Sequence, residues 1–418
     1  MRVLFISPVV PEPATDGGRQ RVLHLLEALT EAHDVTFVGF TRGDAPARWT
    51  LADQFASPAV YVDMVEREVG DNSLSSIVDA LKLSWFAQPD VLRRVTSTAF
   101  WSRLSTLPLD TFDVIHVETM GMLPFALAIK AHVPRIRVVL DLPDVASHFN
   151  ARLLKPSVWL TPSGIQGLID FARLSALEHR LMPQVDAIVT CSHVDARRLR
   201  TKTRPSQLRV LPNCTTTALA SFAPSSGHEL VFVGTMSYPP NEEGVLFFCE
   251  KVLPEIHARI PDVRLSIVGK TPSPTVRDLE RRFGHVRVTG EVDDVRPYLE
   301  RAAVAVVPLL SGGGTRLKIL EAMAAGRAVV STSVGAEGLE LRQGQEVLLA
   351  NSPSEFAQAC VSLLRDGERR GLLERNGRRL VEQKYDWGVT RQGLKDLYGG
   401  FTSTAGPEPK TAPLATKA

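Results

Sequence analysis

Short apolar runs alternate with segments of helical periodicity along most of the chain. Runs rich in aliphatic and β-branched residues predict nine strands: 2–7, 34–40, 113–118, 137–142, 186–192, 229–234, 264–269, 303–308 and 327–332. Because these runs are apolar at successive positions, both faces of each predicted sheet must be covered by helices. The alternation therefore predicts the α/β class, with doubly wound parallel sheets.

The rhythm breaks once, at residues 213–228, which are rich in Thr, Ser, Ala and Pro and predict a hinge. A chain of 418 residues also exceeds the length at which one hydrophobic core keeps growing. We therefore expect an N-terminal domain at 1–212 and a C-terminal domain at 229–385. A last helix is predicted at 386–400, and a polar tail at 401–418 is predicted to be disordered.

Two helical stretches of the N-terminal half fit the alternation poorly. Residues 65–108 place Leu, Ile, Trp85 and Phe86 on one side, and another apolar helical stretch covers 157–182. Two interpretations remain open. These helices complete the N-terminal core, or they form a surface for a lipid-linked or aromatic acceptor.

Composition narrows the class of protein. A net charge of +2, with 22% charged residues, gives no reason to expect a nucleic-acid partner. The four cysteines are far apart in sequence and predict reduced thiols, which fits the cytoplasm. The pattern predicts no signal peptide and no membrane-spanning segment. The His residues and the Asp293–Asp294 pair show no metal-binding spacing, and the two aspartates are expected to cap a helix.

A glycine-rich segment before a predicted helix at 315–325 is the strongest candidate for chemistry. Gly312, Gly313 and Gly314 allow close backbone approach to a ligand, and Thr315 is expected to cap the helix. Arg316 and Lys318 then place cations at the positive end of the helix dipole, at a cost of roughly 0.3 to 1 kcal/mol per charge. A bound diphosphate would offset this cost.

Glu321 lies one turn further along the same predicted helix. A carboxylate at this position can accept two hydrogen bonds from the vicinal hydroxyls of a ribose. The alternative is an ordinary surface pair between Lys318 and Glu321, worth a few tenths of a kcal/mol. That alternative leaves the glycines and the two N-terminal cations unexplained.

The segment SGGGTRLKILEAMAAGRAVVST (311–332), with its neighbours at 288–309 and 335–339, resembles the donor half of family 4 glycosyltransferases of the GT-B fold. Residues 232–248 resemble the first strand and loop of the same domain. The resemblance implies two Rossmann-like domains facing each other across a cleft, with the last helix crossing back to the N-terminal domain. It also implies a nucleoside diphosphate sugar as co-substrate, Glu321 on its ribose, no further cofactor and no metal.

This chain departs from the family pattern at two places. Gly313 stands where many members have the first Glu of an E-x7-E pair, and the loop after Gly234 lacks the usual Arg and Lys. We hypothesise that Arg316 and Lys318 replace the charge lost from that loop, and that they stabilise the leaving diphosphate. Gly234 remains a candidate for contact with the donor.

The first βα loop resembles the family loop that borders the donor phosphates and the acceptor. It contains Gly17 and Gly18, which are also compatible with a plain turn at the start of a helix. Arg19 and Arg21 are expected to be solvated. The sequence does not decide between a loop that borders the donor and a plain turn.

Three carboxylates lie at the carboxyl ends of predicted strands of the N-terminal half. Glu118 aligns with a family His that contacts the transferred sugar, whereas His116 is expected to be structural. Asp141 and Asp144 lie at the carboxyl end of the next predicted strand. A carboxylate there either accepts the proton of an acceptor hydroxyl, the role we assign to Asp141, or caps the following helix.

The sequence thus predicts a glycosyltransferase that moves a sugar from its nucleotide donor to a saccharide or lipid-linked acceptor. Retention at the anomeric carbon and a role in surface polysaccharide or glycolipid assembly follow from the family resemblance. A cytoplasmic location is expected, with peripheral association at the inner face of the membrane as a further expectation. The alternatives are a nucleotide-sugar epimerase and a non-catalytic nucleotide- or carbohydrate-binding protein. A dehydrogenase is disfavoured because the first strand leads to no G-x-G-x-x-G motif.

Overall fold

The computed structural model describes residues 1–12, 14, 16–41, 59–63, 98–148, 161–216, 225 and 227–402. Within this part of the chain, the N-terminal sheet has seven strands: β1 (Arg2–Ser7), β2 (Asp34–Thr41), β3 (Ala59–Asp63), β4 (Val114–Glu118), β5 (Arg137–Leu142), β6 (Ala187–Thr190) and β7 (Leu208–Val210). They pair in parallel in the order β3-β2-β1-β4-β5-β6-β7. The order reverses between β1 and β4, so the crevice beyond these two strand ends is a topological switch point.

The C-terminal sheet repeats this design. Its strands within the described ranges are β8 (Glu229–Val233), β9 (Arg264–Val268), β10 (Val286–Gly290), β11 (Val304–Val307), β12 (Ala328–Ser331) and β13 (Leu348–Leu349). They are all parallel, in the order β10-β9-β8-β11-β12-β13, and the order reverses between β8 and β11. The predicted architecture of two doubly wound sheets is confirmed.

Helices cover both sheets. They are α1 (Gly17–Thr30), α2 (Thr98–Ser105), α3 (Thr119–His132), α4 (Pro162–Leu181), α5 (His193–Leu199), α6 (Pro239–Phe247), α7 (Leu253–His257), α8 (Pro274–Arg282), α9 (Arg296–Arg301), α10 (Leu317–Ala324), α11 (Pro353–Arg365), α12 (Gly367–Lys384) and α13 (Trp387–Thr402). A π-helical turn, Phe248–Val252, joins α6 to α7. Local sequence explains several helix starts, since Asp16, Thr161 and Ser192 each accept a hydrogen bond from the backbone N–H three residues on.

The apolar runs are buried on both faces, as their pattern predicts. Leu4 and Ile6 of β1 lie in one hydrophobic cluster, and Val3 and Phe5 lie in another on the opposite face. A third cluster fills the C-terminal domain. Burial on both faces is what a parallel sheet between two helical layers requires.

The last helix, α13, returns to the N-terminal domain. Its residues Leu394, Leu397 and Tyr398 are buried in the cluster that contains β1. The side chains of Arg391 and Lys395 form ion pairs with Glu31, just after α1, at 2.7 and 3.1 Å. The chain end is thereby attached to the domain in which the chain begins.

All nine predicted strands are present, and the described part of the chain contains four further strands that were not predicted. Each of the four, β3, β7, β10 and β13, lies at an edge of its sheet. Edge strands are partly solvated; β10, for example, alternates buried and more exposed positions. Such strands lack the continuous apolar run that identifies a central strand.

Some predictions fall largely outside the described residues. They include the part of 65–108 that precedes α2, most of the hinge at 213–228, and the tail beyond residue 402. The stretch at 157–182 is helical from Pro162, where α4 begins.

Candidate functional site

The glycine segment between β11 and α10 adopts a conformation that requires glycine. Gly312 and Gly314 have φ values of +118° and +69°, in the region that side chains with a Cβ rarely enter. A Cβ on Gly314 would lie 3.4 Å from the carbonyl oxygen of Pro143 in the N-terminal domain. This segment, residues 311–316, is called the glycine loop below, and it touches both domains.

Arg316 folds back over the glycine loop. It occupies the N-cap position of α10, and its side chain is buried, with Nη1 donating to the carbonyl oxygens of Gly313 and, at 2.7 Å, Gly314. The helix therefore begins at Leu317, later than predicted. Thr315 does not cap it, because its hydroxyl oxygen accepts a hydrogen bond at 2.8 Å from the side-chain amide of Asn213. The predicted capping role of Thr315 is wrong.

Lys318 extends from α10 to the end of β8. Its Nζ donates to Asn241 Oδ1 at 2.7 Å and lies 4.1 Å from the centre of the Phe232 ring. A Cβ on Gly234 would lie 2.7 Å from the same Nζ, so the ammonium group rests against this glycine. Burial and, to a smaller extent, the nearby Arg316 charge lower the pKa of Lys318 to about 7. The Glu321 charge acts in the opposite direction and raises this pKa.

Glu321 faces the N-terminal domain. Burial raises its pKa, while the Lys318 charge and a hydrogen bond from the Gln20 side chain of α1 act in the opposite direction. The start of α1 is close to the start of α10, since a Cβ on Gly17 would lie 2.7 Å from Leu317 Cδ1. A Cβ on Gly18 would make only an ordinary contact, 3.5 Å from Asp16 Oδ1. At Gly17, but not at Gly18, a methyl group would force the Leu317 side chain of the other domain to move.

Glu118 lies at the N-terminal switch point, where β1 and β4 end. Its carboxylate is buried and accepts a hydrogen bond from the Ser7 hydroxyl at 2.5 Å. Burial raises the pKa of Glu118 to about 8, although the Ser7 bond lowers it. The following residue, Thr119, has a φ of +68°, a strained value for a β-branched residue.

Asp141 is held in a buried ion pair. Its two oxygens accept from Arg21 Nε at 2.8 Å and Nη2 at 2.7 Å, and both side chains are at most 1% exposed. Burial alone would lower the pKa of Arg21, but the Asp141 carboxylate outweighs it and the pKa is raised. The expectation that Arg21 is solvated is wrong. An Asp141 carboxylate engaged by two donors is also unavailable as a base, so its assignment as the proton acceptor is corrected.

The Arg21–Asp141 pair is connected to the glycine loop. Arg21 Nη1 donates to Asn213 Oδ1 at 3.0 Å, and the amide of Asn213 donates in turn to Thr315. Asp141, Arg21, Asn213 and Thr315 thus form one hydrogen-bonded chain that crosses from β5 to the C-terminal domain. Asp144, beyond the end of β5, is the neighbouring carboxylate that faces the glycine loop.

Two other buried residues have structural roles, and for His116 this role was predicted. His116 is fully buried, contacts Tyr398 Oη through Nδ1 at 2.9 Å, and stacks on Phe5, and burial lowers its pKa to about 4. Glu178 accepts from Ser147 Oγ at 2.6 Å and forms an ion pair with Lys202.

Sequence reasoning missed Gln20 and Asn241 and misjudged Arg21. Gln20 and Asn241 are single polar residues within helical patterns, and only the fold brings them to Glu321 and Lys318. The one available signal was their position, since each follows a βα turn at a switch-point strand.

In the described ranges, no group of three or more His, Cys, Asp or Glu is arranged to hold a metal ion. No described helix combines the length and apolar character needed to cross a bilayer.

Two family descriptions match the chain. Residues 227–366 match glycosyl transferases group 1, and residues 16–214 match the glycosyl transferase 4-like domain. The two matches correspond to the two sheets. The chain therefore belongs to family 4 of the glycosyltransferases and has their two-domain GT-B fold.

Curated relatives match this chain over only part of their own length. A phosphatidyl-myo-inositol mannosyltransferase of Mycolicibacterium smegmatis is 30% identical over 54% of this chain and 61% of the relative. An uncharacterized 44.6 kDa protein in the cps region of Klebsiella pneumoniae is 24% identical over 38% of this chain and 42% of the relative. The chain thus spans about half the length of the curated relatives it matches.

Solved structures resemble the whole fold. Sucrose-phosphate synthase from Thermosynechococcus elongatus has a TM-score of 0.71 at 17% identity, over 97% of this chain and 100% of the other. Anabaena HepE in complex with UDP-glucose has a TM-score of 0.65 at 13% identity, over 96% of this chain and 100% of the other. At these identities the likeness establishes the fold.

Proposed function

We propose that this glycosyltransferase moves a sugar from a nucleoside diphosphate sugar to an acceptor hydroxyl, without a metal and with retention at the anomeric carbon. The observation that carries the proposal is the meeting of Arg316, Lys318 and the glycine loop at the C-terminal switch point, directly opposite the strand ends of the N-terminal domain. A diphosphate bound there has two cations beside it, and stabilising its negative charge lowers the barrier to its departure.

The donor side is assigned from the same contacts. Gly312, Gly313 and Gly314 have no side chain to keep phosphates from the backbone. Lys318 supplies charge beside Gly234, where the family cations are missing. The position of Lys318 supports the hypothesis that its charge replaces theirs. When the donor binds, the Glu321 carboxylate accepts hydrogen bonds from the ribose hydroxyls instead of the hydrogen bond from the Gln20 side chain.

The acceptor side is assigned to the N-terminal switch point. Glu118 lies at the end of β4 and keeps its proton near neutral pH, so it donates a hydrogen bond to a sugar or acceptor oxygen. Gly17 and Gly18 border the phosphates at the start of α1. Asp141, held by Arg21, positions the glycine loop through Asn213.

A saccharide or lipid-linked acceptor is the class we propose. Two observations support it. The relative from Mycolicibacterium smegmatis is a phosphatidyl-myo-inositol mannosyltransferase, and α4 exposes four large apolar side chains, Ile165, Leu168, Ile169 and Phe171. Such a surface suits peripheral association with the inner face of a membrane from the cytoplasm. Glycolipid or surface polysaccharide assembly is the corresponding pathway class.

A donor screen tests the function. UDP-, GDP- and dTDP-sugars are titrated into the protein by calorimetry, and diphosphate release is followed with and without membrane extract, in buffer with and without EDTA. We expect one nucleotide to bind, release that depends on the extract, and no effect of EDTA; NMR of the product reports the anomeric configuration. Sugar conversion without any acceptor would instead identify an epimerase. Binding without release would identify a non-catalytic binding protein.

A further inference from the structure

Tyr238 lies directly before α6, in the connection from β8 to that helix. Pro239 and Pro240 follow it. A residue before proline is restricted to extended conformations, and Tyr238 accordingly has a φ of −82° and a ψ of 113°. In the described structure its side chain makes no capping hydrogen bond to the helix that it precedes. The local sequence thus fixes the backbone of Tyr238, and its hydroxyl group reaches another part of the molecule.

The helix behind Tyr238 is held against the glycine loop and the strand that leads into it. A Cβ on Gly244 of α6 would lie 2.9 Å from the carbonyl oxygen of Pro308, just after β11. The Ser311 hydroxyl of the glycine loop donates to Glu243 Oε2 at 3.1 Å. These contacts fix the position of α6, and of Tyr238 before it, relative to the glycine loop.

The Tyr238 hydroxyl group and the Arg316 side chain meet on the same glycine. A Cβ on Gly312 would lie 3.3 Å from Tyr238 Oη and 3.0 Å from Arg316 Nη2. The backbone N–H of the next residue, Gly313, donates a hydrogen bond to Tyr238 Oη. A phenol oxygen that accepts one hydrogen bond still has its own proton to donate. The hydroxyl group is thus anchored at the glycine loop as a hydrogen-bond donor.

The phenol of Tyr238 stays protonated at neutral pH. Burial raises its pKa above the ordinary value, and the Asp144 charge adds to this effect. The Arg316 charge and the Gly313 N–H act in the opposite direction without reversing the rise. A protonated phenol donates a hydrogen bond to a sugar oxygen and does not repel a diphosphate.

The order of groups along α10 locates Tyr238 relative to the donor. Glu321, one turn into the helix, is the residue that we assign to the ribose, and Lys318 is one that we assign to the diphosphate. The glycine loop comes before Lys318 and touches the N-terminal domain at Pro143. A sugar on the side of the diphosphate opposite to the ribose therefore lies over the glycine loop. Tyr238 Oη borders this position.

We propose that Tyr238 is a specificity-determining residue for the donor, and that its hydroxyl group donates a hydrogen bond to one hydroxyl of the transferred sugar. The proposal rests on the proposed function and goes further by naming a contact to the sugar itself. Arg316, on the same glycine, serves the diphosphate, so the two side chains bind different parts of the donor. The hydrogen bond holds the sugar, and with it the anomeric carbon, in one orientation over the glycine loop.

The variant Tyr238→Phe removes the hydroxyl group and keeps the ring. Calorimetry compares it with the wild type for two ligands: UDP, GDP or dTDP, whichever binds the wild type, and the sugar of that nucleotide that binds most tightly in the donor screen. We expect the nucleotide sugar to bind about threefold to tenfold more weakly, because one hydrogen bond is lost, and the nucleoside diphosphate to bind within about twofold of the wild type. A merely structural role would weaken the binding of both ligands together.

Donor analogues identify the sugar hydroxyl that Tyr238 contacts. In each analogue of the nucleotide sugar, one hydroxyl of the sugar is replaced by hydrogen. At least one analogue should bind the wild type about threefold to tenfold more weakly than the parent nucleotide sugar. For one such analogue the difference should disappear in Tyr238→Phe, because the variant has already lost the partner of the missing hydroxyl.

Tyr298→Phe is the matched control. Tyr298 is a half-buried tyrosine of α9 in the same domain, with its ring beside the Arg301 guanidinium group. Removal of its hydroxyl group should leave the affinities for both ligands, and the preference among the analogues, as they are in the wild type.

The outcomes separate the two proposals. The role of Tyr238 is overturned, while the donor-binding function stands, if Tyr238→Phe loses affinity for both ligands equally, loses it for neither, or keeps the analogue preferences of the wild type. A wild-type protein that binds none of the nucleoside diphosphates or their sugars overturns the proposed function itself, and the role of Tyr238 with it.

Discussion

The two domains face each other with acidic side chains at the end of one sheet and basic side chains at the end of the other. The N-terminal switch point and the adjacent strand present Glu118, Asp141 and Asp144, whereas the C-terminal switch point presents Arg316 and Lys318. The backbone architecture is the same on both sides. The difference shows that one fold, used twice, is given two chemistries by its side chains: acids suit hydroxyl groups, and cations suit phosphates.

Two buried arginines sharpen the comparison. Arg21 and Arg316 both follow glycines near the start of a helix, but Arg21 is neutralised by a carboxylate that binds it through two hydrogen bonds. Arg316 donates to the dipoles of backbone carbonyl groups instead. The partner, rather than the position in the helix, decides whether such a cation stabilises the fold or attracts an anion.

Removal of both C-terminal cations should have the largest effect. In the double variant Arg316→Ala/Lys318→Ala, loss of two charge-assisted interactions of about 1.5 to 3 kcal/mol each should weaken nucleotide binding by at least 100-fold. Calorimetric titration with the active nucleotide measures this. A matched control, Arg281→Ala/Lys251→Ala, removes two exposed cations of the same domain. Equal affinities for all three proteins would contradict the donor assignment.

Removal of the buried acid should affect the fold instead. Asp141→Asn leaves the Arg21 charge without its counterion in the protein interior, and we expect a loss of about 3 to 5 kcal/mol in the free energy of unfolding. Urea unfolding followed by tryptophan fluorescence measures it. Asp34→Asn, which breaks the exposed Arg2–Asp34 pair, should change it by about 0.5 kcal/mol or less. Similar losses for the two variants would refute the structural role.

The pKa of Lys318 predicts a pH dependence of donor binding. The diphosphate binds the protonated amine and raises its pKa further, so affinity is fully present below about pH 7 and falls by about tenfold per pH unit above it. An intact nucleotide sugar is the suitable ligand, because its diphosphate does not titrate in this range. Arg at this position does not deprotonate, so Lys318→Arg should show a flat profile. A flat wild-type profile would contradict the prediction.

The smallest effect is expected at the contact between the two helix starts. A methyl group at residue 17 would overlap the Leu317 side chain, so Gly17→Ala should weaken the contact between the starts of α1 and α10 and lower turnover by about tenfold, the equivalent of about 1 to 2 kcal/mol. Gly18→Ala is the matched control, because its methyl group would meet only an ordinary contact. Leu317→Ala in the Gly17→Ala background should restore activity, and equal loss in both single variants would disprove the role of the contact.

The central strands could be predicted from the sequence because their burial is visible in it. Every predicted strand was found, and the four unpredicted strands lie at sheet edges. An edge strand such as β10, with partly exposed positions, resembles other amphipathic or short polar segments. Its pairing depends on the neighbouring strand rather than on its own composition.

In the candidate site, too, some features could be predicted from the sequence and others could not. Glycines 312 and 314, next to a strand and a helix, were visible in sequence because their spacing itself implies a special backbone. The partners of the charged residues were not visible. Arg21 was expected in solvent and Asp141 in the site, but they pair across 120 residues of sequence.

The sequence by itself determined two doubly wound sheets, the glycine loop and the presence of cations beside it, because periodicity and glycine content act over a few residues. The tertiary structure decided which carboxylate is neutralised, which one faces the loop, and that Lys318 reaches Gly234. These outcomes depend on contacts between distant segments and on burial, which sets the charge of each group, and neither is encoded in local spacing.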